Sequence, residues 1–136
     1  MLEKLIKARN KKGFTLVELI VVLVILAILA AIMVPALLGW IDKANEKTSA
    51  AQARAVYVSA QATATELYGK GIKISGAIKG NDTNSSGAAA HYGDFNSSVK
   101  DLVDDDATVD STTVFHVSNN KVLSLEYDGE TYVYDN

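Results

Sequence analysis

The residue with the clearest chemical consequence is Glu18, the one carboxylate in a largely apolar stretch that covers residues 14–41. From Leu19 to Val34 this stretch contains no polar residue. As a helix, residues 14–41 would measure roughly 40 Å at ~1.5 Å per residue, enough to cross a bilayer core of ~30 Å. A carboxylate inside a membrane span costs roughly 2.5–3.5 kcal/mol on insertion scales, so it usually faces a partner that compensates its charge. Glu18 is therefore expected to meet a cation.

The charges around this stretch predict its orientation. Residues 1–13 contain five lysines or arginines against one glutamate, and the formal net charge of the 136-residue chain is −3. By the positive-inside rule, residues 42–136 should lie outside the cytoplasm. The rest of the chain is acidic, which argues against a nucleic-acid surface because such surfaces need clustered cations. We expect no direct nucleic-acid binding.

Two general explanations of the N-terminus remain open on these grounds. A secretory signal peptide could be cleaved near Ala30-Ala31 or Pro35-Ala36, although the apolar stretch is long for one and contains an acid. A signal anchor that tethers an extracellular binding domain explains length and orientation equally well. Neither gives Glu18 a role.

The segment 11–20, KKGFTLVELI, resembles the processing site of type IV prepilins and the related pseudopilins. In that family a short basic leader ends in glycine, a phenylalanine follows, and glutamate is the fifth residue of an apolar helix. The resemblance implies cleavage by a membrane prepilin peptidase between Gly13 and Phe14 and N-methylation of Phe14. It implies a leader at residues 1–13, a membrane and assembly helix at 14–41, and an extracytoplasmic head domain at 42–136.

Each of these residues also has a physical rationale. Gly13 lets the backbone enter a protease cleft without steric cost. Cleavage creates a cation at Phe14, and Glu18 could neutralise the corresponding amine of a neighbouring, axially displaced chain. Pro35 removes one helical hydrogen bond, so a kink or melted stretch is expected near residues 31–35. Pro35 could alternatively mark the end of the membrane-buried section.

The remaining pattern predicts an α+β fold. High helix propensity extends the N-terminal helix to about Tyr68, where Gly69 should end it. Three strands follow Thr112, joined by two-residue turns at Asn119-Asn120 and Asp128-Gly129. We expect a long helix, membrane-spanning in its first half, packed on an antiparallel β-meander through a helical stripe formed by Ala53, Val56, Ala60, Ala64 and Leu67.

The segment between the helix and the meander combines three weaker patterns. Residues 72–79 alternate like a strand, residues 80–98 are predicted to be a polar loop, and a short helix is predicted from Ser97, capped by Ser97 or Ser98. No catalytic motif, cofactor site or metal site stands out, so we expect no enzymatic activity, cofactor or metal. The chain has no cysteine, so the disulfide found in many pilins is absent, which suggests a Gram-positive source.

Taken with the resemblance, these features predict a structural subunit of a type IV pilus used in adhesion, motility or DNA uptake. It would be a single-pass membrane protein before it polymerises with its own copies at the cell surface. Its implied partners are the prepilin peptidase, a membrane platform protein and an assembly ATPase. One alternative is a pseudopilin of a type II secretion or DNA-uptake system, and another is the signal-anchored binding domain.

Overall fold

The computed structural model describes residues 13–85 and 87–134. The chain divides between Lys43 and Ala44 into two compact units. We call the second, residues 44–136, the head unit. One long helix, α1, runs from Leu16 to Gly69 and contributes residues to both units. The prediction that this helix continues beyond the apolar stretch and ends at Gly69 is confirmed.

The first unit contains the apolar part of α1. It is long and apolar enough to cross a membrane, and its most apolar window has none of its residues buried within the chain. Pro35 lies inside this helix without interrupting it. The single chain is therefore not melted near residues 31–35, and a kink there, like any loosening in an assembled state, stays a prediction.

The outer part of α1 provides one wall of the core of the head unit. The predicted stripe is confirmed, since all of its members are buried, and Thr63 is buried beside them. Small alanine side chains on this face let the sheet approach the helix closely. The other buried apolar side chains come from the strands, the second helix and their connections: Ile74, Ile78, Tyr92, Phe95, Val99, Val109, Phe115, Val117, Val122, Leu125 and Tyr127.

A four-stranded antiparallel sheet completes this core. Its strands are β1 (Gly76–Lys79), β2 (Val114–Ser118), β3 (Lys121–Tyr127) and β4 (Glu130–Val133), and they are hydrogen-bonded in sequence order. The predicted three-stranded meander is therefore confirmed as β2 to β4. The predicted strand at 72–79 is shorter than expected and joins the edge of the meander as β1.

Both predicted hairpin turns are confirmed by their backbone angles. The first turn has φ values of 47° at Asn119 and 62° at Asn120, and the second has 52° at Asp128 and 79° at Gly129. Positive φ at both central positions matches the right-handed twist of the strands, and asparagine, aspartate and glycine tolerate it best.

The inward face of β3 differs from simple alternation. The sequence predicts that Leu123, Leu125 and Tyr127 face the helix, but Leu123 is only half-buried and Val122 is buried instead. The register of the β2–β3 pair shifts by one residue at this point, so one residue of β3 is extra. Such a bulge changes which side chains point inward.

The segment after β1 is also corrected by the structure. The predicted loop at 80–98 contains a 3₁₀ turn at Gly87–Ala89, and a second helix, α2, runs from Tyr92 to Leu102. The prediction that this helix starts at Ser97 or Ser98 is wrong by about one and a half turns. Burial explains the difference, because the buried residues of α2 recur with helical spacing: Tyr92, Phe95, Asn96 and Val99.

One buried side chain fastens the first hairpin turn to the end of α1. The Asn120 Nδ2 donates to the carbonyl oxygens of Ala64 at 2.9 Å and Ile72 at 3.0 Å, and its Oδ1 accepts from the Ile74 N–H at 3.1 Å. Asn120 is 5% exposed. Its amide therefore bonds one backbone group in the last two turns of α1 and two in the segment that follows the helix.

We expect Gly80→Ala to destabilise the head unit by about 2 kcal/mol, the usual cost of overpacking a well-packed site. A Cβ at Gly80 would overlap the Asp110 carbonyl oxygen and lie 2.7 Å from Cγ1 of Val109. Thermal unfolding of the full chain in detergent measures the change. Gly69→Ala is the matched control, because no atom lies within 4 Å of the Cβ it adds. Equal unfolding temperatures for the two variants would contradict the packing described.

Candidate N-terminal processing and assembly site

The predicted cleavage position lies just outside α1. Gly13 and Phe14 precede the first helical residue, and both are exposed. Phe14 is 91% exposed, and no atom lies within 4 Å of a Cβ built on Gly13. Within the described residues, the peptide bond between Gly13 and Phe14 is therefore exposed and lies outside the helix.

Thr15 is the N-cap of α1, and Glu18 completes the cap. The Thr15 carbonyl oxygen accepts the first helical hydrogen bond, from the Leu19 N–H at 3.1 Å. The Thr15 Oγ1 accepts from the Glu18 N–H at 3.2 Å, and the Glu18 Oε2 accepts from the Thr15 N–H at 2.9 Å. This reciprocal pair is a capping box, which satisfies two backbone donors that the helix start would otherwise leave unpaired.

Sequence reasoning missed this local role of Thr15 and Glu18. The signal was present, because a threonine followed three residues later by glutamate at the start of an apolar run is the signature of a capping box. The cap also explains why α1 starts at Leu16 rather than at Phe14. Glu18 therefore has a structural function in the single chain in addition to the intermolecular one expected for it.

The carboxylate of Glu18 lies in an apolar setting on the helix surface. Phe14, Val17, Val21 and Val22 line a shallow depression with it. Within residues 13–85 and 87–134, Glu18 forms no ion pair, since the ion pairs there join other residues. One carboxylate oxygen is used by the cap, and the other has no hydrogen-bond donor among the described residues. The geometry leaves Glu18 able to accept a cation from outside the chain.

We expect Thr15→Ala to weaken the first turn of α1 by about 1 kcal/mol, the usual value of an N-cap. Backbone amide exchange at Val17 and Glu18, measured on the full chain in detergent micelles, should become roughly fivefold faster. Thr15→Ser should restore the slow exchange because serine supplies the same acceptor. Fast exchange in the serine variant, or unchanged exchange in the alanine variant, would show that the cap does not hold this turn.

Pro35 lies far from this cluster along the helix. Its missing N–H leaves the carbonyl of Ala31 without the usual helical donor. The structure therefore brings Gly13, Phe14 and Glu18 together with Thr15 and leaves Pro35 separate, within the exposed apolar helix.

The aspartates of residues 101–110 are of the residue type that binds calcium. Among the described residues, no group of three or more histidine, aspartate or glutamate side chains is arranged to hold a metal ion. Asp110 is engaged locally instead: its Oδ1 accepts from the Thr112 hydroxyl at 2.6 Å and from the Thr112 N–H at 2.8 Å. These bonds hold the pKa of the Asp110 carboxyl below its usual range.

Three asparagines of the head unit match the N-glycosylation pattern, and the structure separates them. Asn96 is buried, and its Nδ2 donates to the carbonyl oxygens of Lys79 and Asp82, so the nitrogen that would carry a sugar is occupied. The Asn84 Nδ2 donates to the Asp94 carboxylate at 2.8 Å, which is the main reason the pKa of Asp94 is lowered. Asn81 lies exposed in a turn.

Comparisons with known proteins agree with this arrangement. Residues 8–34 match the family model described as the prokaryotic N-terminal methylation motif. The chain is 55% identical over 38 residues to the type IV wide pilus major component PilA4 of Thermus thermophilus, a match covering 28% of this chain and 29% of that protein. No solved structure matches the chain.

The second relative extends the similarity beyond the N-terminus. The chain is 35% identical over 114 residues to the type IV narrow pilus major component PilA5 of Thermus thermophilus, covering 84% of this chain and 95% of that protein. This similarity extends into the head unit, in which no short sequence motif indicates a function. A methylation motif that includes the start of a long apolar helix, a helix-on-sheet head and a match of this extent have one explanation: the chain belongs to the type IV pilin family.

Proposed function

We propose that this chain is a structural subunit of a type IV pilus. The similarity to a pilus major component over 84% of the chain is the observation that carries the proposal. In the proposed precursor, residues 1–13 are a leader, residues 14–41 hold the subunit in the membrane, and residues 42–136 form the extracytoplasmic head. After cleavage the same apolar helix leaves the lipid and packs against copies of itself in a surface filament.

Cleavage between Gly13 and Phe14 and N-methylation of Phe14 are proposed as the maturation steps. The match to a methylation motif at residues 8–34 supports them, as does the open, non-helical position of this peptide bond. The capping box one residue further on fixes where the helix begins. A peptidase would therefore meet a non-helical bond that is followed, within two residues, by the start of α1.

Glu18 is proposed to pair with the Phe14 amine of a neighbouring subunit. Both charges are costly in an apolar surrounding when unpaired, and each neutralises the other across the contact. The carboxylate lies among apolar side chains, and one of its oxygens has no donor within the described part of the chain and could accept from an external one. Such a pair forms at one axial displacement between chains, so it specifies register as well as contributing to stability.

Pro35 is proposed to serve assembly through the helix around it. The carbonyl that Pro35 leaves unpaired makes this turn the weakest in the apolar segment. A helix that can loosen here could adjust its outer part against neighbouring subunits while the inner part stays packed. The proposed role is conformational and involves no chemistry.

The proposed partners are other copies of this subunit, the prepilin peptidase, a membrane platform protein and an assembly ATPase. A structural role in place of an enzymatic one is consistent with this family. The names of both similar proteins describe major pilus components, which favours a pilus subunit over a pseudopilin.

Mass spectrometry of the protein recovered from cells tests maturation. The expected mature chain begins at Phe14 with one methyl group on its amine. The same preparation, sheared from the cell surface and viewed by electron microscopy, should contain filaments built from this chain. A mature protein that begins near Ala36 would make it an ordinary secreted protein, and a protein retaining residues 1–13 would contradict processing.

A further inference from the structure

The head unit has an open groove along the outer face of α1. Its volume is about 580 Å³, and it lies between residues 47–55 of the helix and residues 104–107 after α2. Ala51 and Ala55 are exposed in its helical wall, and Asp104 and Asp106 line the opposite wall. We call this feature the head groove. Lys47 also lines it.

Apolar surface continues from the head groove along the same helix face. Val58 follows Ala51 and Ala55 with helical spacing and is 57% exposed. Leu102, at the end of α2, is 55% exposed, and its carbonyl oxygen accepts a bond from the Ser59 hydroxyl, which places it beside this stretch of helix. Two large apolar side chains are therefore open to solvent next to the groove.

The far wall of the head groove belongs to a strongly acidic segment. Residues 101–110 contain five aspartates and no lysine or arginine. Within residues 13–85 and 87–134, none of these aspartates takes part in an ion pair. An occupant of the groove should thus present an apolar side chain flanked by cations.

The opposite end of the head unit presents an apolar side chain flanked by cations. Residues 66–73 and 119–121 contain three lysines and one glutamate. Tyr68 is 59% exposed there, next to Lys70 and Lys73. Lys70 contacts Glu66 at 2.6 Å on the surface, where such a pair is weak and exchangeable. Lys121 directly follows the hairpin turn that Asn120 fastens to this end.

The two surfaces lie apart along one helix. Ala51 and Tyr68 are separated by about 25 Å at ~1.5 Å rise per residue. Complementary surfaces at opposite ends of the same unit cannot meet within one chain, whereas they can meet between copies arranged head to tail. Repeated contacts of this type, when they do not close into a ring, generate open helical filaments.

We propose that the head groove of one subunit receives the Tyr68 to Lys73 end of another copy of the chain. The tyrosine ring would cover the apolar floor formed by the alanines and Val58, and the lysines would face Asp104 and Asp106. This inference rests on the proposed function as a filament subunit. It adds a contact between the head units of two subunits to the pairing of Glu18 within the helical core.

Charge reversal on either surface tests the contact. Asp104→Lys with Asp106→Lys should reduce the yield of sheared filaments at least tenfold, because like charges would face each other across the contact. Lys70→Asp with Lys73→Asp should do the same. All four changes together should restore the yield to within about threefold of wild type. Lys79→Glu, on exposed β1, is the matched control and should leave the yield unchanged.

Covalent trapping gives a second readout in filaments that do assemble. The chain has no cysteine, so a variant carrying Ala55→Cys and Tyr68→Cys has one thiol on each surface. A short bismaleimide should link its filaments into a ladder of multimers. Each single-cysteine variant should remain monomeric on a denaturing gel.

The outcomes separate this inference from the proposed function. Three results would each overturn the inference and leave the proposed function intact. The first is an unchanged filament yield in the charge-reversal variants, and the second is a fourfold variant that is as defective as the two double variants. The third is a double-cysteine filament that gives no ladder of multimers. If the wild-type chain forms no filaments, the proposed function fails and the inference fails with it. The contact is supported if each double charge reversal lowers the filament yield, the fourfold variant restores it, and the double-cysteine filament gives the ladder.

Discussion

Glu18→Gln is expected to reduce filament yield by roughly a hundredfold while leaving leader cleavage and membrane insertion intact. The variant leaves the Phe14 amine of the neighbouring subunit without a counter-charge in an apolar contact, and removing one partner of such a pair costs about 3 kcal/mol or more. A difference of about 1.4 kcal/mol corresponds to a factor of ten in an equilibrium. Quantifying sheared filaments against the total membrane pool measures the effect.

Glutamine is the informative replacement because it separates the two roles of this side chain. Its amide oxygen can still accept from the Thr15 N–H, so the capping box is kept while the charge is lost. Thr15→Ala does the reverse, since it removes the cap acceptor and keeps the charge, and we expect a much smaller loss of filaments. Normal filaments from the glutamine variant would refute the charge pair. Better membrane insertion with normal function would favour a simple signal anchor.

Asn120→Gly is expected to lower the free energy of unfolding of the head unit by about 3 kcal/mol. The substitution removes the three hydrogen bonds that the side chain makes with the carbonyls of Ala64 and Ile72 and with the N–H of Ile74. Each such loss costs about 1 kcal/mol or more when the group is buried. Glycine keeps the positive φ of the turn, so the change isolates the side chain. Thermal unfolding of the full chain in detergent gives the difference.

Asn119→Gly provides the matched comparison for this prediction. Asn119 also has positive φ, but it is exposed, and its backbone N–H supplies the bond it makes to the Ser75 hydroxyl. Its replacement should change stability by no more than about 0.5 kcal/mol, as is usual at exposed positions. Equal losses in the two glycine variants would mean that the turn backbone matters and the buried amide does not.

The helix and the meander were predictable because their signals are local and strong. The apolar stripe from Ala53 to Leu67 repeats with helical spacing, and Gly69 ends it. The turns at Asn119-Asn120 and Asp128-Gly129 combine residue types that tolerate positive φ. In each case propensity, pattern and packing favour the same structure.

Other features depend on contacts that composition does not reveal. The glycine, serine and asparagine content of residues 80–98 predicts a loop, yet Tyr92, Phe95 and Val99 form a buried helical face that outweighs low propensity. The bulge at Leu123 arises from strand pairing, and alternation within one strand gives no sign of it. The triple role of Asn120 follows from the proximity of residues 64, 72 and 74 in the fold. At the N-terminal site, the resemblance identified Gly13, Phe14 and Glu18, whereas Thr15 was overlooked despite a local signature.

An atomic structure of the assembled filament tests the central claim directly, since it shows the surroundings of the Glu18 carboxylate and of the amine on Phe14. The account predicts that these two groups, from different subunits, lie within about 4 Å of each other and away from solvent, as in a buried ion pair. A filament in which the two groups are well separated, with each one hydrated or paired elsewhere, would contradict it.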